Sequence, residues 1–367
     1  MNLECSLGKI KTAILSAERL TGKNLSLPVF SNIILEAENQ TLKIKATNLD
    51  LGLEISLPCK INQTGLVAVS GNLLGNFFNH LPASEDKIKL ELLKGNLNIS
   101  STHHTTTIKC YPADDFPLIP RPDKPSILLI NSEQLSQGLQ SVWYSASSSN
   151  LKPEISSVCF YEQPSGLCLV ATDSFRLAEK HLGGDKLRLN LPYLILPLKN
   201  TLELMKIIEN LNVDLEIQYN QNQISFFAPH FYLTSRLIDG VFPDYRQIIP
   251  TRFSTEVTTN RAQLLELLKL ANVFVDKFNQ ADLSLNKEGK LEIRTINDNG
   301  NNLVWVVPQA VSGEPVAISL NLKYLLDGLV AFSDEQVILR FNGAAKPIML
   351  TGWGDTTLVY LIMPIKR

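Results

Sequence analysis

The densest run of reactive side chains is Thr172-Asp173-Ser174-Phe175-Arg176, which sets a carboxylate, two hydroxyls and a guanidinium within five residues. Asp and Ser could do nucleophilic work, but that chemistry needs a base in hydrogen-bond reach, and no histidine adjoins the run. The other reading is an ion pair between Asp173 and Arg176 across a tight turn, a structural or binding role. The histidines (His80, His103, His104, His181, His230) are dispersed. His103 and His104 sit in an extended stretch where neighbours point to opposite faces. The cysteines (Cys5, Cys59, Cys110, Cys159, Cys168) form no C-x-x-C pair, which suits thiols in a reducing compartment better than disulfides or zinc. No phosphate-binding, dinucleotide, zinc-protease or nucleophile-elbow motif occurs. Neither a metal nor a cofactor is expected.

The elements around that run repeat. LKIKATNLDLGLEISL from Leu42, LCLVATDSFRLAEKHL from Leu167 and LEIRTINDNGNNLVWVV from Leu291 start 125 and 124 residues apart. Each reads as strand, turn, strand, with Thr47, Thr172 or Thr295 near the same offset. Helical patterns keep a similar period. SLGKIKTAILSAERL (from Ser6), NSEQLSQGLQSVWYSA (from Asn131) and NRAQLLELLKLANVF (from Asn260) each open on a capping residue. SGNLLGNFFNHL (from Ser70), PLKNTLELMKII (from Pro197) and SLNLKYLLDGLV (from Ser319) form a second helical set. A shared period of about 125 residues predicts an α+β protein of three tandem two-helix, strand-rich domains. The Pro-rich stretches Phe116–Pro125 and Phe242–Phe253 place the boundaries at 1–124, 125–252 and 253–367.

At 367 residues the chain is longer than one hydrophobic core usually grows, which agrees with several domains. Its net charge of −2 excludes a strongly basic, histone-like nucleic-acid binder, and 44% hydrophobic content excludes disorder. The N-terminus lacks a signal-peptide pattern and no apolar run reaches membrane-span length, so a soluble, cytoplasmic protein is expected. The first helix nevertheless shows Lys9, Thr12, Ser16, Arg19 and Lys23 as one stripe, and the fourth shows Lys199, Glu203, Lys206 and Asn210. Mildly basic stripes on an acidic protein hint at a polyanion partner.

Four separated segments carry a family likeness: LPVFSNIILEA (Leu27–Ala37), ATDSFRLA (Ala171–Ala178), DGVFPDYRQIIP (Asp239–Pro250) and YLIMPIKR (Tyr360–Arg367). On these the chain resembles the bacterial sliding clamps, the beta subunits of DNA polymerase III, over essentially its whole length. The resemblance implies a non-catalytic processivity factor: a head-to-tail homodimer of three-domain subunits, closed as a six-domain ring around duplex DNA. Twelve helices of ~10 Å diameter would set their axes on a circle about 38 Å across and leave a hole of about 28 Å. Such a ring slides, so sparse phosphate contacts without sequence reading suffice.

By resemblance, Lys23, Lys152, Lys199 and Lys206 contact DNA, while Asn72, Ser149 and Asn150 stand where relatives are often basic. It implies an apolar pocket for peptide tails of the polymerase III alpha subunit, the clamp loader and repair polymerases. Matching positions are Ile155, Thr172, Ser174, Phe175, Arg176, Leu177, Pro243, Ile248, Pro347, Leu361, Met363 and Pro364, with Arg176 and the turn backbone orienting the peptide. Phe175 and Gln247 depart from the usual family residues. The ring contact would be an apolar seam of Ile108 against Val273 and Phe274. Two alternatives stay open: a clamp-like scaffold that no longer loads on DNA, and a hydrolase using Asp173 and Arg176.

Overall fold

The computed structural model describes residues 1–22, 28–82, 86–122, 126–163, 166–183 and 192–365. The first repeat runs β1 (Asn2–Ser6), α1 (Leu7–Glu18), β2 (Asn32–Glu38), β3 (Thr41–Thr47), β4 (Leu51–Pro58), β5 (Lys60–Gln63), β6 (Gly65–Ser70), α2 (Gly71–His80), β7 (Lys87–Leu93), β8 (Asn96–Ser100) and β9 (Thr105–Tyr111). The second runs β10 (Ser126–Asn131), α3 (Ser132–Gln140), β11 (Ser157–Gln163), β12 (Gly166–Thr172), β13 (Arg176–Gly183), β14 (Leu194–Pro197), α4 (Leu198–Ile208), β15 (Asp214–Tyr219), β16 (Gln223–Ala228) and β17 (Phe231–Arg236). The third runs β18 (Thr255–Asn260), α5 (Arg261–Ala271), β19 (Gln280–Leu285), β20 (Leu291–Asn297), β21 (Gly300–Val306), β22 (Ala310–Gly313), β23 (Val316–Asn321), α6 (Leu322–Ala331), β24 (Gln336–Phe341), β25 (Ile348–Gly352) and β26 (Leu358–Ile362). The α+β triplication read from the periodicity is therefore the fold.

The compact units cut across these repeats. One comprises Met1–Glu133 with Leu202–Leu237, the other Gln134–Thr201 with Ile238–Arg367. The cause is strand pairing. Within the first unit, β17 of the second repeat pairs with β4 of the first, giving a sheet ordered β10-β15-β16-β17-β4-β3-β2-β6-β9-β8-β7-β1-β5. Within the second, β13 pairs with β26, giving β14-β11-β12-β13-β26-β25-β24-β18-β22, beside a four-stranded sheet β21-β20-β19-β23. A strand left on an open edge carries unpaired N–H and C=O groups, so joining one repeat's edge to the next satisfies both.

The first two strand–turn–strand segments fold alike because their hydrogen bonds are local, whereas in the third Ile296 takes the place of the threonine and Thr295 Oγ1 donates instead to Ala271 O. Thr47 Oγ1 donates to Leu51 O and Thr172 Oγ1 to Arg176 O, each at 2.7 Å. Asn48 Oδ1 accepts from the N–H groups of Asp50 and Leu51, as Asp173 Oδ1 does from those of Phe175 and Arg176. Leu49 (φ 75°) and Ser174 (φ 77°) occupy the left-handed corner of each turn. The short acceptor of Asn or Asp makes that strained corner tolerable by capping the turn.

Helices approach tightly where glycine removes a side chain. A Cβ on Gly75 of α2 would lie 2.2 Å from the Glu18 carboxylate on α1, and one on Gly328 of α6 would strike the Tyr360 ring of β26 at 2.1 Å. The helix reading needs some corrections. Asn260 and Asn321 cap α5 and α6 through their side chains, but Ser6 and Ser70 make no capping bond. Ser319 belongs to β23, and α1 ends at Glu18, so its stripe stops before Lys23, which lies outside the described residues. No helix among the described residues is long and apolar enough to cross a membrane.

Candidate partner-docking site

In the second unit, β12, the turn after it and β13 meet β26. Arg176 pairs with Ile362 and Leu177 with Leu361 across the β13–β26 ladder, and Met363 N donates to Phe175 O at 2.8 Å. Neighbours on a strand face opposite ways. Leu177 and Leu361, each 1% exposed, belong to one buried cluster with Cys159, Tyr161, Cys168, Val170, Ile195, Phe242 and Tyr245. Ile238, Ile249 and Met349 pack against its margin. Around it Phe175 is 62% exposed and Ile248 41%, Pro243 and Ser174 are exposed, and Met363 is half-buried. Buried leucines bordered by exposed apolar side chains suit the capture of a short apolar peptide.

Arg176 faces the other way. Its Nε lies 2.9 Å from Asp173 Oδ2 and its Nη1 2.6 Å from Asp327 Oδ2 on α6. The guanidinium also stacks over the Tyr324 ring at 4.4 Å. It lines a cleft of about 1420 Å³ with Gln134, Tyr144, Tyr324 and Asp327. Arg176 thus holds the turn that presents Phe175 and Leu177. The same contacts answer the hydrolase alternative. Asp173 Oδ1 takes two backbone N–H groups and Oδ2 takes Arg176, which fixes the carboxylate as a structural acceptor.

Of the remaining pocket positions, Thr172 is buried under the turn and Pro347 is buried one residue before Ile348, which pairs with Ile362. Ile155 is 9% exposed in the loop before β11, bonded through its backbone to Ser147 and Lys152. Pro364 lines a separate hollow of about 610 Å³ with Asp282, Arg294 and Ser319. Lys152, Lys199 and Lys206 are exposed.

For the expected dimer seam, Val273 is 68% exposed and Phe274 half-buried, its ring 3.6 Å from where a Cβ on Gly300 would sit. Ile108 departs from expectation. At 2% exposure its side chain is in the core of its own unit, because β9 alternates and position 108 faces inward. Only its backbone is left for a seam.

Sequence reasoning missed a polar network inside the apolar cluster. Glu179 is 6% exposed, and its Oε2 accepts from the hydroxyls of Tyr161 (3.1 Å) and Tyr245, while Oε1 lies 2.8 Å from His181 Nε2. Burial by itself pushes this carboxyl upward, but the bonds from His181 and Tyr245 outweigh it and hold it below the usual range. Burial pushes both tyrosines well above their ordinary values. The available signal was Glu179 and His181 at alternate positions in the otherwise strand-like RLAEKHL.

Comparison with known families and structures gives one answer along the chain. The N-terminal, central and C-terminal domains of the DNA polymerase III beta subunit match residues 1–120, 129–244 and 246–366. The beta sliding clamp of Synechococcus elongatus is 28% identical over 376 residues, covering 100% of this chain and 99% of that protein. That of Synechocystis is 26% identical over 394 residues, covering 100% and 99%. Among solved structures, the Bacillus subtilis DNA polymerase sliding clamp aligns with a TM-score of 0.92 at 22% identity, covering 100% of this chain and 99% of that one. The Pseudomonas aeruginosa clamp bound to griselimycin aligns at 0.94 and 23%, covering 100% of both. At such identities the structures show a shared fold.

Proposed function

The chain belongs to the DNA polymerase III beta-subunit family, and on that footing we propose that it works as a sliding clamp, a ring of two copies that encircles duplex DNA and tethers a DNA polymerase. It performs no chemistry of its own. The observation that carries the ring is that the repeat's joining rule is used twice and left open once. At the first junction Arg236 N donates to Asp50 O and Ser56 N to His230 O, both at 2.9 Å. At the second, Met363 N donates to Phe175 O at 2.8 Å and His181 N to Thr357 O at 2.9 Å. Asp50 and Phe175, like Ser56 and His181, lie 125 residues apart, so the two ladders are copies.

The third pair of edges has no strand partner among the described residues. β21, the counterpart of β4 and β13, ends its sheet, and β9, the counterpart of β17 and β26, is paired over Thr105–Lys109 only with β8. Within one chain these edges belong to the last and first repeats. Two copies joined head to tail by the same rule close both of these seams. The repeated register sets Gly300 opposite Ile108 of the partner subunit and Leu303 opposite Thr105 of the partner subunit. Phe274 beneath Gly300 and the exposed Val273 flank that edge, which supports the seam.

In this reading Lys23, Lys152, Lys199 and Lys206 meet phosphates weakly, and retention comes from enclosure rather than affinity. The test is to load the protein onto nicked circular duplex with its clamp loader and wash at high salt. It should stay on circles and leave when they are linearised. Equal retention on both would overturn enclosure, and capture of partner peptides with no retention on circles would leave only a scaffold.

The docking face is the apolar surface over Leu177 and Leu361, rimmed by Phe175, Pro243, Ile248 and Met363. Flexible Met363 adapts to different tails. Met363→Ala is expected to weaken binding of a polymerase C-terminal peptide by about 1–3 kcal/mol, as for a buried anchor. Calorimetry that finds Met363→Ala and Phe175→Ala both unchanged would move the docking site elsewhere.

A further inference from the structure

We propose that Cys168, Glu179 and His181 form a binding site for zinc, with Tyr161 and Tyr245 as its outer support. Their spacing along the chain, 11 residues and then 2, conceals the set, and the sheet assembles it. Antiparallel register places Tyr161 opposite Cys168 and Cys168 opposite His181, a row across β11, β12 and β13. Glu179, two residues before His181, shares that face. One donor atom from each of Cys168, Glu179 and His181 lies within 4.8 Å of the other two.

The donor set is thiolate, carboxylate and imidazole, a combination that suits zinc far better than magnesium or calcium. Bond lengths of about 2.0–2.3 Å put neighbouring donors in a tetrahedron roughly 3.2–3.8 Å apart, so a pair at the 4.8 Å limit draws in by about 1.0–1.6 Å while the Glu179–His181 pair, at 2.8 Å, opens by about half an ångström or more. The carboxylate is oriented beforehand. Both tyrosine hydroxyls hold Oε2, which leaves Oε1 turned to His181. Such outer bonds position metal-binding carboxylates. Gln163 Nε2 in turn donates to Tyr161 OH at 2.8 Å, which fixes the tyrosine. His181 retains 27% side-chain exposure, while Glu179 has 7% and Cys168 none. An ion therefore enters past the imidazole, and a water completes the fourth position.

Besides a 3.9 Å contact to Leu169 O, the Cys168 thiol is hydrogen-bonded to the Tyr161 hydroxyl. On binding, that thiol gives up its proton to solvent as the zinc–sulfur bond forms, and the imidazole carries its proton on Nδ1 so that Nε2 binds the metal. The Glu179–His181 hydrogen bond is replaced by two bonds to the ion. Affinity consequently rises with pH as the displaced proton is removed.

The proposal does not depend on the clamp reading. Its test uses the full chain and cobalt(II) as a spectroscopic stand-in for zinc, followed by zinc competition. One equivalent per chain should give a thiolate-to-cobalt charge-transfer band and the strong visible bands of a tetrahedral ion, both abolished by zinc. Cys168→Ser should remove the charge-transfer band and His181→Gln should weaken binding at least tenfold. Tyr161→Phe should weaken it by about tenfold or more. Far-ultraviolet circular dichroism without metal checks that each variant is folded, and His181→Gln, at a half-exposed position, keeps the test usable if Cys168→Ser fails to fold. No thiolate band at a small excess of cobalt would overturn the site. So would a band that survives in Cys168→Ser, or unaltered affinity in His181→Gln.

Discussion

Arg176→Ala is expected to cost about 3 kcal/mol of folding free energy in the unit that contains it, read from the midpoint of urea unfolding. The guanidinium bridges Asp173 in the turn and Asp327 on α6, with side-chain exposures of 11%, 12% and 30% for the three groups. Removing the cation strands two carboxylates in a partly dry cleft, and that penalty outweighs the lost attraction itself. The estimate lies at the lower end for buried pairs because Asp327 keeps some access to water. Adding Asp327→Asn to the alanine variant should recover about 1 kcal/mol by removing one stranded charge. Arg176→Lys should fall between, since an ammonium cannot reach both carboxylates with a fork geometry. A loss under about 0.5 kcal/mol in Arg176→Ala, the size of an ordinary surface change, would show that the bridge is not a structural tie.

The second large effect concerns the open edge of β21. In the two ladders that are closed, the N–H groups of Ser56 and His181 point to the neighbouring strand. By the repeat their counterpart is Trp305, and alternate residues share its direction, so Leu303 N–H also points outward. Leu303→Pro deletes that donor, puts a ring in the seam and leaves the β20 pairing intact. One stranded carbonyl costs about 1–3 kcal/mol, and the ring adds a clash, so dimer affinity should fall roughly a hundredfold or more. Sedimentation should show a species at twice 40.9 kDa for the parent and one near 40.9 kDa for the variant at low micromolar concentration. Leu303→Thr, which keeps the N–H at a side chain already 41% exposed, should remain dimeric. A dimeric Leu303→Pro would place the contact away from β21.

Much of the architecture was legible before any coordinates. The triplication followed from spacing, and the strand–turn–strand segments from alternation around Thr and Asx residues. Those features are written locally: Thr172 and Asp173 bond to atoms at most four residues away, so the chain carries the instruction within a short window. Helix positions were equally plain, although their ends depended on caps that two serines do not supply.

Other features are absent from any window of sequence. Arg176 meets Asp327 across 151 residues, and Glu179 meets Tyr245 across 66. Ile108 reads as an interface residue until the alternation of β9 turns it inward. Cys168, Glu179 and His181 look unrelated until β12 and β13 pair in one particular register. Which edge joins which, and so which face each side chain takes, follows from burying apolar surface along strands of period two. A slip of one residue would reverse every face. The amino-acid order determined three similar modules and their turns. Long-range pairing, selected by burial and by the need to satisfy strand edges, decided where the chemistry converges.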